Sequence, residues 1–424
     1  MKGDMKKRNA LSVDSGFSDR FSAYEDGRVK ALALMLCCVL LLCTIGCVSG
    51  PKYSTTLPPA IAQGVVTEEP IVGRETAITN AIQLTIGFDK AGESYFSPDM
   101  NWIIFQGAPK GQPQYQMYVA KLIKDANGDI TGLDKPTQIS PEPSRNTCGY
   151  FSPDGKTIIF ASTIGREKAD EPSSGYQRQG GNYRWAFPDG MELFSCDDWQ
   201  LAVAKAGPGG KATLKLNQLT KNDVYDAECA FSNDGRFICF GSNQNNNLDI
   251  FVSRVLRISA VNASAITAGP LALEPPVRIT TFDGYDGGPF FSPDGKHLVY
   301  RSDRRKNDLL QIFVCDLAFD ATGNVTGMAA EHQLTNDATV NWGPFWHPDG
   351  RHIIYATSKH GHANYELYMI RSDGTHPARI TYSAGADVLP VFSPDGKYLM
   401  WTSKRSSDHT SQVFVAKFKM PEEE

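Results

Sequence analysis

Hydrophobic and polar residues alternate in short segments along most of the chain, and these segments recur in the same order. Proline, aspartate and glycine favour the successive positions of a tight turn, so the repeated turn sequence predicts a hairpin tip in each copy. Self-similarity at a long, fairly even spacing is typical of a radial repeat architecture. The six copies are FSPDM from Phe96, FSPDG from Phe151, FSNDG from Phe231, FSPDG from Phe291, WHPDG from Trp346 and FSPDG from Phe392.

Three further patterns complete each repeat. A β-branched and aromatic run follows each turn, as in KTIIFAS from Lys156, and two more strand-like motifs follow, as in DIFVS from Asp249 and HQLT from His332. Four strands in six copies predict an all-β fold, a six-bladed β-propeller of four-stranded antiparallel blades. We expect Ile82–Thr85, which precedes the first turn, to complete the last blade beside the QVFVA strand from Gln412.

The repeats also set the predicted domain boundaries. The propeller covers residues 81–418, and a short acidic tail covers residues 419–424. The spacing between turn aspartates is largest from Asp154 to Asp234, which places the largest insertion, residues 164–190, in blade 2. Long loops on a rigid scaffold often carry function.

An apolar run at residues 31–45 follows Arg28 and Lys30 and precedes Cys47. The run is short for a membrane-spanning helix and suits the core of a signal peptide. With the small residue before Cys47 it resembles a bacterial lipoprotein signal, which implies a lipid anchor on Cys47. An uncleaved anchor and secretion without lipid are the alternatives, and each of the three exports the domain. We therefore assign residues 1–47 to the signal segment and residues 48–80 to a flexible tether.

The net charge and the absence of known catalytic motifs argue against nucleic-acid binding and against catalysis. The net charge is −5 and no basic stripe is present, so we expect no nucleic-acid partner. The sequence contains no Gly-x-Ser-x-Gly elbow, no P-loop and no dinucleotide fingerprint, so we predict no catalytic residue and no cofactor.

Two cysteines stand at facing positions of one predicted hairpin. A three-residue loop, residues 233–235, pairs Ser232 with Arg236 and sets Cys229 opposite Cys239 at a pair without backbone hydrogen bonds, where side chains approach most closely. In an oxidising compartment this arrangement predicts a cross-strand disulfide. The alternative is that both are buried free thiols.

Two histidines are the weak candidates for a metal site. His360 and His362 flank a glycine, but no carboxylate or cysteine cluster at metal-binding spacing accompanies them. We therefore predict no metal site.

Two groups of residues are candidates for binding. The position five residues before each turn aromatic is polar in five blades, and we expect these side chains to ring one mouth of the central channel and to bind a cation, a sugar or a basic peptide tip. The alternative is that they cap turns and the neighbouring backbone. The five residues are Asn146, Asp226, Asp286, Asn341 and Asp387.

The insertion supplies the second group, which combines aromatic rings with guanidinium groups. That composition is typical of interface hot spots and of sugar-stacking platforms. The alternative is a loop folded over the blade edge, with Trp185 and Phe187 as plugs. The candidate binding residues are Tyr176, Arg178, Tyr183, Arg184 and Trp185.

The FSPDG tips, the Lys or Arg after each tip and the preceding QLT or RIT strand resemble the WD-like repeat of TolB-type propellers over residues 82–417. The resemblance implies an exported, non-catalytic scaffold at the bacterial cell envelope, either periplasmic or attached to the outer membrane. We expect a monomer that binds an envelope protein or a polysaccharide. TolB carries an α/β domain before its propeller and residues 48–81 are too short for one, so we do not expect a role in the Tol-Pal system.

Two other families share the repeat. Oligogalacturonate lyases resemble it and hold a metal with histidines, so a metal-dependent carbohydrate-active enzyme is the alternative function. Prolyl-oligopeptidase-type enzymes use similar propellers, but their catalytic domain is not recognisable in this sequence.

Overall fold

The computed structural model describes residues 75–166, 175–179, 182–262, 265–305 and 307–422, and the side chains of residues 175–186 and 258–268 lie outside that description. The segment with the candidate signal and Cys47 also lies outside it. No helix among the described residues is long and apolar enough to cross a membrane.

The regular secondary structure of the described chain is almost entirely β-strand. In chain order the strands are β1 (Ile78–Gln83), β2 (Phe88–Phe96), β3 (Trp102–Pro109), β4 (Gln116–Lys124), β5 (Ile130–Leu133), β6 (Thr137–Gln138), β7 (Asn146–Phe151), β8 (Thr157–Ser162), β9 (Gly175–Gln179), β10 (Asn182–Ala186), β11 (Glu192–Asp197), β12 (Asn217–Gln218), β13 (Asp226–Phe231), β14 (Phe237–Ser242), β15 (Asp249–Asn262), β16 (Ala265–Leu273), β17 (Val277–Arg278), β18 (Asp286–Phe291), β19 (His297–Ser302), β20 (Gln311–Phe319), β21 (Val325–Gln333), β22 (Asn341–Trp346), β23 (His352–Thr357), β24 (Glu366–Arg371), β25 (Ala378–Arg379), β26 (Asp387–Phe392), β27 (Tyr398–Ser403) and β28 (Gln412–Phe418). One helix, α1 (Trp199–Ala206), lies between β11 and β12.

These strands form the predicted six-bladed β-propeller. From the channel outward, the four-stranded blades are β2-β3-β4-β6, β7-β8-β11-β12, β13-β14-β15-β17, β18-β19-β20-β21, β22-β23-β24-β25 and β26-β27-β28-β1. All named strand pairs are antiparallel, and the second strand of each blade is almost fully buried because neighbouring blades cover both of its faces.

The first strand of the propeller closes the ring, as predicted. β1 pairs with β28, and the Leu84 amide donates to the Val413 carbonyl at 2.8 Å. A second contact reinforces the closure because Asp129, beyond β4 in blade 1, accepts hydrogen bonds from Tyr398 at 2.9 Å and Lys417 at 2.6 Å in blade 6. Both chain ends of the propeller therefore stabilise one blade.

The surplus length lies in extensions at the outer edge and in the insertion of blade 2. β5 and β16 pair with the outer ends of β4 and β15, and β9 and β10 form a separate two-stranded hairpin. Helix α1 packs through Trp199, whose ring meets Trp102 edge-on at 5.2 Å and whose Nε1 donates to the Gly155 carbonyl at 3.1 Å.

The predicted register of the third hairpin is wrong. The Ser232 amide donates to the Phe237 carbonyl, so the loop holds four residues and not three. Cys239 faces Ala230, and a bulge between Ala227 and Ala230 displaces Cys229 from that pairing. Cys229 and Cys239 are both buried free thiols, as are the other described cysteines, because the longer loop and the bulge remove the facing geometry that a cross-strand disulfide requires.

Candidate functional site

The five polar residues predicted to ring the channel mouth do begin the innermost strands, but they lie between blades. Their side chains belong to residues that are at most 2% exposed, and four of them donate a backbone hydrogen bond of 2.8 to 2.9 Å to the preceding blade. The open collar is therefore a wrong prediction, because the side chains turn into the blade interfaces. The residues are Asn146, Asp226, Asp286, Asn341 and Asp387.

We refer to these five residues as the inner interface residues. Each lies close to a polar residue at the start of the third strand of the preceding blade. Asn146 donates to Gln116 Oε1 at 3.1 Å, and Asn341 donates to Gln311 Oε1 at 3.0 Å. These hydrogen bonds join neighbouring blades and satisfy polar groups that are buried between them. We refer to Gln116, Glu192, Asp249, Gln311 and Glu366 as the outer interface residues.

The channel is lined by a different position, two residues further along each innermost strand. A β-bulge interrupts every innermost strand there, and one residue adopts a positive φ between 46° and 59°. A bulge re-aims a side chain, and here all six residues line the same cavity on the channel axis. These bulge residues are Glu93, Cys148, Glu228, Gly288, Gly343 and Leu389.

The cavity is a well of about 370 Å³, closed at its inner end by aromatic rings. Tyr95 meets Tyr150, Phe290 and Phe345 at ring-centroid distances of 4.9, 5.8 and 6.4 Å, and Phe290 meets Phe345 at 5.0 Å. A second cavity of similar volume begins beyond these rings and is lined by prolines of the turn tips. We call the first cavity the axial well, and its aromatic floor separates it from the second cavity.

Glu228 in the axial well is fully engaged by protein groups. Its carboxylate forms an ion pair with Arg301, accepts a hydrogen bond from Tyr285 at 2.9 Å and accepts another from the Gly288 amide at 2.8 Å. A Cβ at position 288 would collide with the Arg301 guanidinium, so this arrangement requires glycine. Glu228 and Arg301 therefore fix each other's position in the wall of the well.

Glu93 occupies the equivalent position in blade 1 but has different neighbours. Its carboxylate accepts a hydrogen bond from Thr147 Oγ1 at 3.3 Å, and within the described part of the chain it forms no ion pair. Burial raises the pKa of Glu93, and the Cys148 thiol lowers it through a hydrogen bond. The charge of Glu228 raises this pKa further, and the charge of Arg301 lowers it. The well thus contains one carboxylate that pairs directly with Arg301 and one, Glu93, that forms no direct ion pair among the described residues.

Cations stand at the rim of the axial well. Lys90 lies in β2, three residues before Glu93, and Arg145 directly precedes β7. Both line the cavity, and Lys90 Nζ lies 4.3 Å from the centre of the Tyr115 ring. Burial lowers the pKa of Lys90. The charge therefore changes from positive at the rim to negative at Glu93.

The blade 2 insertion reaches this rim. Tyr183 pairs with Arg178 and Trp185 with Tyr176 across the β9–β10 hairpin, while the side chains of all five predicted binding residues, including Arg184, lie outside the described residues. The next residue, Phe187, stacks on Tyr285 at 5.8 Å and contacts Tyr225 at 4.7 Å, and it lines the well. The choice between binding loop and plug stays a prediction, but the stem of the insertion borders the axial well.

The two candidate metal ligands have other contacts. His360 Nε2 lies 2.9 Å from Tyr368 Oη, and its Nδ1 lies 3.4 Å from an Arg379 nitrogen. Among the described residues no group of three or more His, Cys, Asp or Glu side chains has metal-binding geometry. No structural observation favours a metal at His360 or His362.

The sequence carries a signal for the axial well in the innermost strands, at a position other than the predicted collar. The aligned column two residues after the inner interface position reads Glu, Cys, Glu, Gly, Gly, Leu. Two glycines in the middle of otherwise bulky strands mark a bulge, and charged residues in the same column mark a surface that faces solvent. This column identifies Glu93 and Glu228.

Comparison with known proteins agrees with the fold. Residues 324–422 match the family model described as TolB beta propeller domain. The chain is 33% identical over 113 residues to an uncharacterized protein of Agrobacterium fabrum, with 27% of this chain and 34% of the relative aligned. It is 29% identical over 182 residues to a protein TolB homolog of Chlorobium luteolum, with 43% and 35% aligned. It is 23% identical over 202 residues to a Tol-Pal system protein TolB of Francisella tularensis, with 48% and 40% aligned.

The aligned part of the chain thus spans only about a third to two fifths of the length of these relatives. Among solved structures, a putative TolB from Agrobacterium tumefaciens superposes with a TM-score of 0.45 at 15% identity, over 78% of this chain and 91% of that one.

The blades and the axial well define a six-bladed β-propeller. With the matched repeat in its last blades, the protein is a TolB-like six-bladed β-propeller.

Proposed function

We propose that this protein is an exported, non-catalytic β-propeller at the bacterial cell envelope that binds a partner protein in its axial well. The observation that carries the proposal is the well itself, a cavity of about 370 Å³ with a closed floor and charged walls on a rigid scaffold. Ligand sites are typically concave, with a few placed polar groups on a largely apolar lining. Relatives named as Tol-Pal system protein TolB support an envelope location.

We further propose that Cys47 carries a lipid and that residues 48–80 tether the propeller to the membrane. The support is the sequence alone, an apolar run of signal-peptide length directly before Gly46 and Cys47. Growth with an alkyne-labelled fatty acid should label the wild type and leave Cys47→Ala unlabelled in the soluble fraction. A wild-type chain that takes up no label contradicts the tether.

The axial well is tested by filling it. Leu389 is a half-buried bulge residue in the well wall, so Leu389→Trp places an indole in the cavity while it keeps an apolar side chain there. Leu201→Trp is the matched control, because Leu201 is 73% exposed on α1, away from the channel. Both variants should keep the wild-type melting temperature within a few degrees.

The readout is photo-crosslinking in living cells from a benzophenone amino acid at Gln114, which lines the well. We expect one crosslinked envelope partner for the wild type and for Leu201→Trp, and loss of that product for Leu389→Trp. If all three proteins give the same product, the partner binds elsewhere and the well is not the site.

A further inference from the structure

The two carboxylates of the axial well occupy equivalent positions on different blades but have unequal surroundings. Glu228 has a cation, a phenol and a backbone amide as partners. Glu93 has one hydroxyl at 3.3 Å and a neighbouring thiol, and no ion pair within the described residues. Arg301 acts on Glu93 only at a distance, and a half-buried carboxylate without a direct ion pair is costly unless another group neutralises it.

A second group beside Glu93 also lacks a partner. Ser94 lines the well, is 1% exposed, and its Oγ has no hydrogen-bond partner among the described residues. Buried hydroxyls are normally hydrogen-bonded, so an unused one that borders a cavity indicates a missing partner in the cavity. Glu93 and Ser94 are adjacent in sequence, and both border the same space.

The floor of the well suits the same kind of partner. Tyr95 and Phe290 present aromatic rings at the closed end, and a cation near an aromatic face gains energy when water is excluded. Lys90 at the rim repels a cation held close to the mouth. A ligand must therefore place its positive charge deeper in the well than Lys90, at the end of a long apolar stem. Arginine and lysine side chains have this shape.

We propose that the axial well binds an arginine or lysine side chain of a partner polypeptide, with the charged group on Glu93 and a hydrogen bond to Ser94 Oγ. This inference rests on the proposed function and specifies the chemistry of the bound segment. The well volume of about 370 Å³ accommodates one such side chain with part of its backbone. The ligand's cation does not pair with Glu228, because Glu228 already forms an ion pair with Arg301 in the wall of the well.

Short peptides test the charge requirement directly on the full chain, purified in detergent. The probes are acetyl-Gly-Arg-Gly-amide and the same peptide with citrulline, which has the shape of arginine without its charge. The wild type should bind the arginine peptide about tenfold or more tightly than the citrulline peptide, the factor expected for a charge-assisted hydrogen bond. Titration calorimetry measures both affinities, and calcium chloride is titrated separately.

Glu93→Gln should abolish the preference for arginine, and Ser94→Ala should weaken binding of both peptides by a few fold. Glu274→Gln is the matched control, because Glu274 is a surface residue that pairs with Arg254 on the outer edge of blade 3. This variant should behave as the wild type. Melting curves of all variants separate loss of binding from loss of fold.

The pH dependence gives an independent readout. The charged and titratable groups that interact with Glu93 are Glu228, Arg301, Cys148, Cys229, Tyr95, Tyr115 and Tyr225. Because burial raises the pKa of Glu93, the arginine preference should fall as the pH drops through that raised value, as the carboxylate becomes protonated. Glu93→Gln should show no such dependence.

Several outcomes overturn the inference. Equal wild-type affinity for the two peptides, no binding of either peptide, a preference that survives in Glu93→Gln, or binding of calcium without the peptide each contradicts it. The photo-crosslinking experiment separates this failure from that of the proposed function. If Leu389→Trp loses the partner and Glu93→Gln retains it fully, the well is the binding site but a cation on Glu93 is not the contact.

Discussion

The interface between blades 1 and 2 and the interface between blades 2 and 3 use the same two positions with opposite chemistry. In the first, Gln116 and Asn146 are joined amide to amide at 3.1 Å. In the second, both positions are acids, Glu192 and Asp226, and both are at most 1% exposed. The scaffold therefore accepts buried polar groups at these positions with or without charge.

The acidic interfaces differ in how their charge is compensated. Between blades 5 and 6, Arg405 lies 2.7 Å from Asp387, and Arg379 lies 2.9 Å from Glu366. Between blades 2 and 3, Asn222 donates to Asp226 at 2.9 Å, and among the described residues Asp226 forms no ion pair. Arg166 lies 4.0 Å from Glu192, the outer acid of the same interface. The comparison indicates that direct arginine pairing compensates the inner acid between blades 5 and 6, whereas the inner acid between blades 2 and 3 relies on hydrogen bonds.

The largest effect is expected when the compensating cation is removed. Arg405→Ala leaves Asp387 and Glu75 without their shared guanidinium, and breaking a buried ion pair typically costs about 3 to 5 kcal/mol. Urea denaturation at pH 7 should show a loss of that size. Arg254→Ala, at a surface pair with Glu274, should change the free energy of unfolding by less than about 1 kcal/mol. Equal losses in the two variants would mean that burial does not distinguish these pairs.

A charge placed in the amide interface should have the next largest effect. The Asn146 side-chain nitrogen donates to Gln116 Oε1, the Ser144 carbonyl and the Tyr115 carbonyl. In Asn146→Asp these acceptors face a carboxylate oxygen, so we expect a loss of about 2 to 3 kcal/mol at pH 7, measured by urea denaturation. The loss should shrink at pH 4, where the new carboxyl is protonated, and a loss independent of pH would point to packing instead of charge.

The reverse substitution should stabilise the acidic interface. Burial raises the pKa of Asp226 to about 6, and the charge of Glu192 adds to the rise. The folded state therefore favours the protonated acid, and the stabilisation present below pH 4 is lost as the pH rises through about 6. Asp226→Asn should gain up to about 3 kcal/mol at pH 8 and nothing at pH 4.

The measurement is the free energy of unfolding of wild type and Asp226→Asn at both pH values. The exposed acid Asp373 is the matched control, since Asp373→Asn removes a carboxylate whose pKa is lowered by hydrogen bonds from Thr375. It should not stabilise the protein at pH 8. If Asp226→Asn also fails to do so, the acid at this interface is ionised without cost.

The amino-acid sequence by itself determined the architecture of this protein. Each Ser-Pro-Asp-Gly copy specifies a turn through its own backbone preferences, and each neighbouring run specifies a strand through its side chains. Such local signals, repeated six times, suffice for the blade count and for the closure of the ring by the strand that includes Ile82. The polar positions at the strand starts were also identified from the repeat alone.

Only the tertiary structure decided where those polar side chains point. A bulge shifts the strand alternation by one residue, so Asp226 turns into a blade interface and Glu228 turns to the channel axis. The same shift separated Cys229 from Cys239. The difference between Glu93 and Glu228 arises from Arg301, which is more than 70 residues away from Glu228 in sequence. Contacts between blades set the charge of the axial well, because residues far apart in sequence meet only when the ring has closed.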